Sequence, residues 1–368
     1  MANGREGKLY EEIVGYISGQ IEKGTYQPDD KLPTEHDLAQ MFHVSRITST
    51  RALNELQSMG LIVRRQGSGS YVANKNANGG THLTGDFVAM IMPYVDLQGR
   101  MHEILEGVSG VLTRHNYHLT IYNSGVDAAD ERTLLMRARS NGIKGIILYP
   151  KVDNSNIDII YDMHIHKFPI TLVDKKYAGI PISNACVDNF KGAYDITDYL
   201  LKLGHHNIGF ITNRRMEEVY SVRERYFGYY EAMKKNNVPI DFDYVVRGFT
   251  ASQNDNVDIR QNADIIRRLI SSGITAIVAA SDVVAFEILK CCENENIKVP
   301  EDLSLVGFDN LGQCAYTTPP LTTCDQDFIN VGELAVELLL QQIELNDFSF
   351  IEKRAPTSLC IRDSVRAI

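Results

Sequence analysis

Residues 32–72 read LPTEHDLAQMFHVSRITSTRALNELQSMGLIVRRQGSGSYV, and this stretch decides the fold of the first part of the chain. Thr34 is a good helix N-cap and is followed by acidic residues, which favour the start of a helix. We expect that helix to run to about Phe42. After a short turn, Ser45 is a second N-cap, and a helix with a buried apolar face follows it until Gly60. Two helices joined by so short a turn predict a helix-turn-helix unit.

The flanking residues extend this unit on both sides. Upstream, apolar residues repeat every four positions, which predicts one more helix that ends near Gly24. Downstream, residues 61–65 and 70–72 predict two strands around a glycine turn, which is the hairpin, or wing, of a winged helix. The apolar residues of the upstream helix are Leu9, Ile13, Ile17 and Ile21.

A winged helix suggests which residues would contact DNA. The second helix of a helix-turn-helix normally lies in the major groove with its N-terminal residues at the base edges. The arginines and the glycine tip of a wing can reach phosphates or the minor groove. Taken singly, a basic helix face or a glycine turn is more often a solvated surface, but their combination in this order favours DNA binding. The candidate DNA-binding residues are Thr34, Glu35, Ser45, Arg46, Thr48, Ser49, Thr50, Arg51, Arg65, Gln66, Gly67, Ser68 and Gly69.

The net charge of −10 conceals a local excess of basic residues. Residues 40–75 carry five basic side chains and one acidic one, a local balance of 5 − 1 = +4. The basic charge is therefore concentrated on the predicted helix-turn-helix and wing, where a polyanionic partner would bind.

This ordered set of residues resembles the GntR-type winged-helix regulators, over nearly all of residues 8–72. The resemblance implies double-stranded operator DNA as the partner. The family usually has an arginine four residues after the position of Arg46; here that position is Thr50, and Arg51 lies about 100° further round the helix. The resemblance is carried by Leu32-Pro33-Thr34-Glu35, Leu38-Ala39, Val44-Ser45-Arg46, Ala52-Leu53, Leu56, Gly60-Leu61-Ile62 and Gln66-Gly67-Ser68-Gly69-Ser70-Tyr71-Val72.

A polar, glycine-rich stretch then predicts a domain boundary. Residues 74–86 have the composition of a flexible linker, although a short ordered hinge is an alternative. We therefore expect a DNA-binding domain over residues 1–73 and a larger domain over residues 87–368.

The larger domain alternates apolar strand-like runs with amphipathic stretches. Strand-helix alternation with nearly continuous apolar strands predicts an α/β fold of parallel sheets covered on both faces. About 280 residues exceed the usual single core, so two lobes are expected. The predicted strands are 87–92, 118–122, 145–149, 169–173, 208–212, 276–279 and 303–308, and the predicted helices include 101–115, 190–203, 221–236, 258–272 and 282–296.

Polar residues follow several of these strands. In open parallel sheets, ligands bind beyond the carboxyl ends of the strands. Carboxylates beside an aromatic face suit a polyhydroxylated, sugar-like ligand, because each carboxylate can accept hydrogen bonds from hydroxyl groups. For Asp282, which precedes a predicted helix, a capping role is an equal alternative. The candidates at strand ends are Tyr94, Asp96, Asp174, Lys175, Asp282 and Asp309.

Residues 87 to about 364 resemble the effector domain of LacI/GalR-type regulators, which is similar to periplasmic sugar-binding proteins. The resemblance implies that Asp174, Arg225, Asp282 and Gln326 line an effector cleft between the lobes. A GntR-type head on a LacI-like body resembles the arabinose repressors. The segments that carry this resemblance are Val187-Asp188-Asn189, Gly192-Ala193, Leu200–His205, Ile208-Gly209-Phe210, Arg225–Tyr229, Ala280-Ser281-Asp282, Val299–Asp309, Pro319–Thr323 and Ile361–Ser364.

Several classes of protein are disfavoured. No run of about 18 apolar residues and no secretory signal occur, so we expect a cytoplasmic protein without a membrane partner. The six cysteines form no CxxC pair and the histidines no metal-ligand pattern, so neither a metal nor a cofactor is expected. A nucleophile elbow and a phosphate loop are both missing, which argues against an enzyme.

The sequence thus predicts a homodimeric, DNA-binding transcription regulator. We expect it to repress carbohydrate-utilisation genes and to be released from DNA by a sugar effector. The alternatives are a cytoplasmic small-molecule binding module, a regulator that needs its ligand in order to activate or repress, and, least favoured, an α/β enzyme.

Overall fold

The computed structural model describes residues 3–58, 61–65, 68–73, 86–93, 100–125, 128–140, 142–151, 154–177, 179–250 and 259–368. The chain divides into two compact units, Met1–Thr84 and Gly85–Ile368. Of the predicted linker 74–86, only Asp86 lies within the described residues. No helix in the described part of the chain is long and apolar enough to cross a bilayer.

Unit 1 is a winged helix, as the sequence predicts. Thr34 caps the second helix in a reciprocal pair: its hydroxyl accepts from the Asp37 amide at 3.2 Å, and the Asp37 carboxylate accepts from the Thr34 amide at 2.9 Å. Ile17 of the first helix packs against Leu38 and Leu53 in the core. The elements are α1 (Asn3–Glu22), α2 (Glu35–Met41), α3 (Arg46–Ser58) and the antiparallel strands β1 (Ile62–Arg65) and β2 (Gly69–Val72).

Unit 2 contains two six-stranded sheets, and each defines a lobe. In the sheet of lobe 1 all neighbouring strands are parallel, and in the sheet of lobe 2 all are parallel except the last strand of the chain, which pairs antiparallel with its neighbour. In spatial order, the sheet of lobe 1 is β13 (Glu352–Ala355), β7 (Asn184–Val187), β6 (Ile170–Val173), β5 (Gly145–Leu148), β3 (Asp86–Met92) and β4 (Tyr117–Asn123). That of lobe 2 is β14 (Thr357–Cys360), β12 (Thr322–Gln326), β11 (Ser304–Asp309), β10 (Ala276–Ala279), β8 (Ile208–Thr212) and β9 (Val245–Arg247).

The helices cover these sheets, and the chain passes from lobe to lobe three times. The passages follow β7, β12 and β13, because the next element in each case packs in the other lobe. Lobe 1 carries α4 (Met101–Arg114), α5 (Ala128–Ser140), α6 (Ile157–Ile165) and α11 (Phe328–Leu345). Lobe 2 carries α7 (Asn189–Lys202), α8 (Tyr220–Lys235), α9 (Ile259–Ser271) and α10 (Asp282–Asn294).

Each lobe contains one pair of helices in very close contact. A Cβ atom at Gly107 of α4 would lie 2.0 Å from the Ile329 carbonyl oxygen of α11. A Cβ atom at Gly228 of α8 would lie 2.2 Å from the Phe190 carbonyl oxygen of α7. Both distances are far below van der Waals contact, so glycine is required where the backbones approach. The predicted parallel two-lobed α/β architecture is confirmed.

Candidate functional site

The amino terminus of α3 presents two side chains to solvent. The side chain of Arg46 is 75% exposed, and its Nε lies 3.4 Å from a carboxylate oxygen of Glu35. The next residue, Ile47, is 82% exposed although it is apolar. Thr34 is also exposed, with its side chain held in the capping pair of α2.

Glu35 connects α2 to α3 and to the wing. It accepts a hydrogen bond from the guanidinium of Arg64 on β1, and Arg64 also donates to Asn54 at 2.6 Å. Partial burial acts to raise the pKa of Glu35, but the hydrogen bonds from Arg64 and Arg46 and the positive charge of Arg64 hold it below its usual range. Glu35 therefore remains a carboxylate that orients two arginines at the surface of the winged helix.

Thr48 and Ser49, which the sequence groups with the DNA-contacting residues, are buried. The Ser49 hydroxyl donates to the Glu35 carbonyl oxygen at 2.7 Å, and the Thr48 hydroxyl lies 2.8 Å from that of Ser45. These side chains face α2 and the start of α3 rather than solvent. Their hydrogen bonds join the start of α3 to α2, and a contact of these residues with DNA remains a prediction.

Thr50 and Arg51 occupy the positions where the family pattern changes. The Thr50 hydroxyl donates to the carbonyl oxygen of Arg46 at 2.8 Å. The guanidinium carbon of Arg51 lies 4.2 Å from the centroid of the Tyr10 ring on α1. Arg51 is thus held against α1 by a cation–π contact.

The described part of the wing is a tight hairpin. Gly69 has φ +114°, a conformation that favours glycine, and the Ser68 hydroxyl lies 2.6 Å from that of Tyr71. Gln66, Gly67 and the side chain of Arg65, all predicted to contact DNA, lie outside the described residues.

In unit 2, Arg225 of α8 is the centre of a buried polar cluster. Its Nε donates to the Asn189 side chain at 2.8 Å, and one terminal nitrogen donates to the Ala280 carbonyl oxygen at 2.6 Å. The same nitrogen lies 3.2 Å from the carboxylate of Asp309, and the guanidinium stacks on Phe308 at 3.8 Å from the ring centroid. Within lobe 2, Arg225 therefore has Asp309 as its ionic partner and the Ala280 carbonyl and the Asn189 side chain as further hydrogen-bond acceptors.

Asp309 lies at the carboxyl end of β11 in a strained conformation. Its φ of +124° is unusual for any residue with a side chain, and strain of this kind persists where surrounding contacts hold it. Gln326, itself buried, donates to its carboxylate, and Arg100 of lobe 1 donates to its carbonyl oxygen at 3.0 Å. Burial raises the pKa of Asp309 to about 7, against the lowering effect of Arg225.

Asp174 brings a second carboxylate from lobe 1. It follows β6 with φ +64° and accepts a hydrogen bond from the Tyr149 hydroxyl at 2.8 Å. Its charge contributes to the raised pKa of Asp309, so the two carboxylates act on each other across the lobes. Lys175, next in sequence, donates to the Lys151 carbonyl oxygen at 2.7 Å. Tyr94 and Asp96, the remaining lobe 1 candidates, lie outside the described residues.

Asp282, which is predicted to contact the effector, lies in the interior of lobe 2. It is completely buried, and its carboxylate accepts hydrogen bonds from the Thr323 hydroxyl at 2.6 Å, the Leu311 amide at 2.8 Å and the Cys314 thiol at 3.0 Å. Ser281 supplies the N-cap of α10. Asp282 thus anchors the loop after β11, and a Cβ atom at Gly307 would lie 2.1 Å from its carboxylate.

The sequence reasoning missed Arg100, which joins the two lobes. This residue precedes α4, donates to both carboxylate oxygens of Glu103 at 2.6 Å, and also binds Asp325 and the carbonyl of Asp309 in lobe 2. Nothing in the local pattern around Arg100 indicates partners more than 200 residues away. Asn189, which accepts a hydrogen bond from Arg225, lies in one of the segments that resemble the LacI/GalR-type regulators, but the sequence assigns it no role.

Two family profiles match the chain. Residues 9–72 match the gntR family of bacterial regulatory proteins, and residues 197–365 match the periplasmic binding protein-like domain. The protein is therefore a DNA-binding transcription regulator of the class that joins a GntR-type winged helix to a periplasmic-binding-protein-like domain.

Individual relatives match most of the chain or its larger unit. The arabinose metabolism transcriptional repressor of Geobacillus stearothermophilus is 27% identical over 92% of this chain and 90% of its own length. The crystal structure of the transcription regulator CcpA of Lactococcus lactis is 25% identical, with a TM-score of 0.63 over 77% of this chain and all of that one. A LacI family regulator from Enterococcus faecium with bound ribose shares the fold at 23% identity and a TM-score of 0.60, over 77% of this chain and all of that one. The predicted resemblance is confirmed.

Proposed function

We propose that the protein is a homodimeric repressor of carbohydrate-utilisation genes in the cytoplasm, released from its operator by a sugar. Two kinds of relative support this: one is named for arabinose metabolism, and another was solved with ribose. The homodimer follows from the way in which helix-turn-helix proteins pair on two operator half-sites.

The observation that carries the sugar assignment is that Asp174 and Asp309 stand at the carboxyl ends of β6 and β11 in different lobes, near enough for the charge of Asp174 to raise the pKa of Asp309. Carboxylates are acceptors only, and an effector with several hydroxyl donors satisfies both at once. Tyr149, which is only partly buried and donates to Asp174, offers an aromatic group beside these carboxylates. Because the guanidinium of Arg225 is already paired with Asp309, the cluster favours a neutral sugar over an anionic one.

A ligand that binds residues of both lobes would favour one relative arrangement of the lobes. Any coupling to the winged helix must equal the difference in ligand affinity between the DNA-bound and free states. We therefore expect the effective sugar to weaken operator binding by about 5- to 150-fold, the usual range of such coupling.

The test begins with thermal unfolding of the full chain against a panel of neutral pentoses and hexoses, sugar acids and sugar phosphates. Binding to the folded state raises the melting temperature, and 100 Kd of ligand contributes about 2.7 kcal/mol. Asp174→Asn should abolish the shift. Asp158→Asn, which alters an exposed carboxylate paired with Arg132, is the matched control and should keep it.

The second part measures operator binding by fluorescence anisotropy with and without the effective sugar. Arg46→Ala should lower affinity and reduce the salt slope by about one. If the sugar instead strengthens operator binding, the protein is a regulator that needs its ligand in order to bind DNA, and release of the repressor by ligand is wrong. A stabilising shift that survives in Asp174→Asn, or a protein that binds no duplex at all, would contradict the proposal.

A further inference from the structure

The side chain of Ile47 is exposed, so it contributes little buried apolar surface to the stability of the fold. Among the described residues of unit 1 it is the most exposed large apolar side chain, at 82%, whereas Ile13, Ile17 and Ile62 are buried. It occupies the second position of α3, directly after Arg46. An apolar side chain at this place calls for a partner that is apolar at the point of contact and acidic around it.

The neighbours of Ile47 define what such a partner would meet. Ile47, Thr50, Arg51, Asn54 and Glu55 line one shallow groove along the outer face of α3. The Thr50 hydroxyl is turned to the helix backbone, and Asn54 is engaged by Arg64 of the wing. The polar groups of this face are therefore partly committed, and Ile47 offers dispersion contact beside the exposed Arg46 guanidinium.

We propose that Ile47 is a specificity-determining residue that packs on the C5-methyl group of a thymine in the major groove. This inference rests on the proposed operator binding and extends it to a base. Thymine is the only one of the four bases that presents a methyl group in the major groove. The exposed guanidinium of Arg46 beside it suits a phosphate, and a β-branched side chain has little χ1 freedom to lose on contact.

The experiment removes the methyl group without altering any hydrogen bond. An operator is first selected from a random duplex pool with the wild-type full chain. Each thymine is then replaced by deoxyuridine, one at a time, and Kd is measured by fluorescence anisotropy at fixed salt. We expect one position in each half-site where the replacement weakens wild-type binding about fourfold, the effect of one buried methyl group.

Ile47→Ala should bind the unmodified operator more weakly and should lose the sensitivity to deoxyuridine at that position. Met41→Ala, which truncates another exposed apolar residue of the same unit, is the matched control and should retain it. Circular dichroism melting checks that Ile47→Ala remains folded, as expected for a side chain with almost no buried surface.

Three results would overturn the inference. They are a wild-type protein indifferent to every deoxyuridine, a sensitivity that persists in Ile47→Ala, and an Ile47→Ala variant with unchanged affinity for the operator. Failure of the selection to yield any bound duplex would instead refute operator binding itself. The two failures are therefore distinguishable.

Discussion

Replacing Arg225 with methionine should destabilise unit 2 chiefly through the carboxylate that it leaves behind. The Arg225 side chain is 9% exposed and that of Asp309 is 22% exposed, with 3.2 Å between nitrogen and oxygen. At an effective dielectric constant of about 20, their Coulomb attraction is about 5 kcal/mol before desolvation is counted. Removal of one partner of a buried pair typically costs about 3–5 kcal/mol, and we expect about 4 kcal/mol for Arg225→Met.

The double variant Arg225→Met/Asp309→Asn separates the charge from the packing. A neutral amide at position 309 is not penalised as an unpaired charge would be, so the double variant should recover about 2 kcal/mol of the loss. Recovery stays partial because the Asn189 side chain and the Ala280 carbonyl still lose their donor.

The assay is urea unfolding of the full chain followed by circular dichroism, with the transition of unit 2 compared at pH 8 and pH 5. Because the pKa of Asp309 is raised to about 7, the carboxyl is largely protonated at pH 5 and has little charge to leave unpaired. The penalty of Arg225→Met should therefore be smaller at pH 5 than at pH 8. Strict additivity of the two substitutions, together with equal penalties at both pH values, would refute the reasoning.

Three further predictions concern the same lobe contacts. Because Asp309 binds its proton more tightly in the folded chain than in the unfolded one, stability should fall as pH rises from about 4 to about 7, and Asp309→Asn should flatten that part of the curve in a urea series. Gly307→Ala should lower the free energy of unfolding by about 1–3 kcal/mol because the new Cβ meets the Asp282 carboxylate at 2.1 Å, whereas Gly312→Ala, with open space around it, should not; thermal melts compare the two. Arg100→Lys keeps the positive charge but loses the planar guanidinium that binds both lobes. Calorimetry should show that unit 2 is less stable by about 1–2 kcal/mol. An unchanged stability would contradict a structural role for the guanidinium.

Most of the architecture was predictable because it is recorded in short-range periodicity. The seven predicted strands and five predicted helices of unit 2 are present within two residues of their expected ends. The prediction does not include β7, β9 and β12, nor the edge strands β13 and β14, of which β13 is the more polar. β13 carries Glu352, Lys353 and Arg354, because a strand with a neighbour on only one side can expose charged side chains.

The site was less predictable, because a side chain's role depends on what else is near it. The position at a strand end predicts both Asp309 and Asp282 as site residues. The carboxylate oxygens of Asp282, however, accept hydrogen bonds from the Leu311 amide and the Thr323 hydroxyl. The sequence groups Ser49 with the DNA-contacting residues and does not single out Ile47, although Ser49 is buried and Ile47 is exposed. Helical spacing gives the relative directions of two such residues but does not show which of them faces the neighbouring helix.

The sequence by itself determined the winged helix, the parallel two-lobed α/β body and the strand ends where polar residues gather. These features arise from local caps, turns and apolar periods, which residues a few positions apart record. Only the tertiary structure decided which polar groups are already satisfied and which remain for a ligand. Ser49 meets the carbonyl of Glu35, 14 residues away, and Arg100 meets Asp325, 225 residues away. Partners this far apart in the sequence satisfy the donors and acceptors of these side chains, and a local sequence pattern does not indicate such partners.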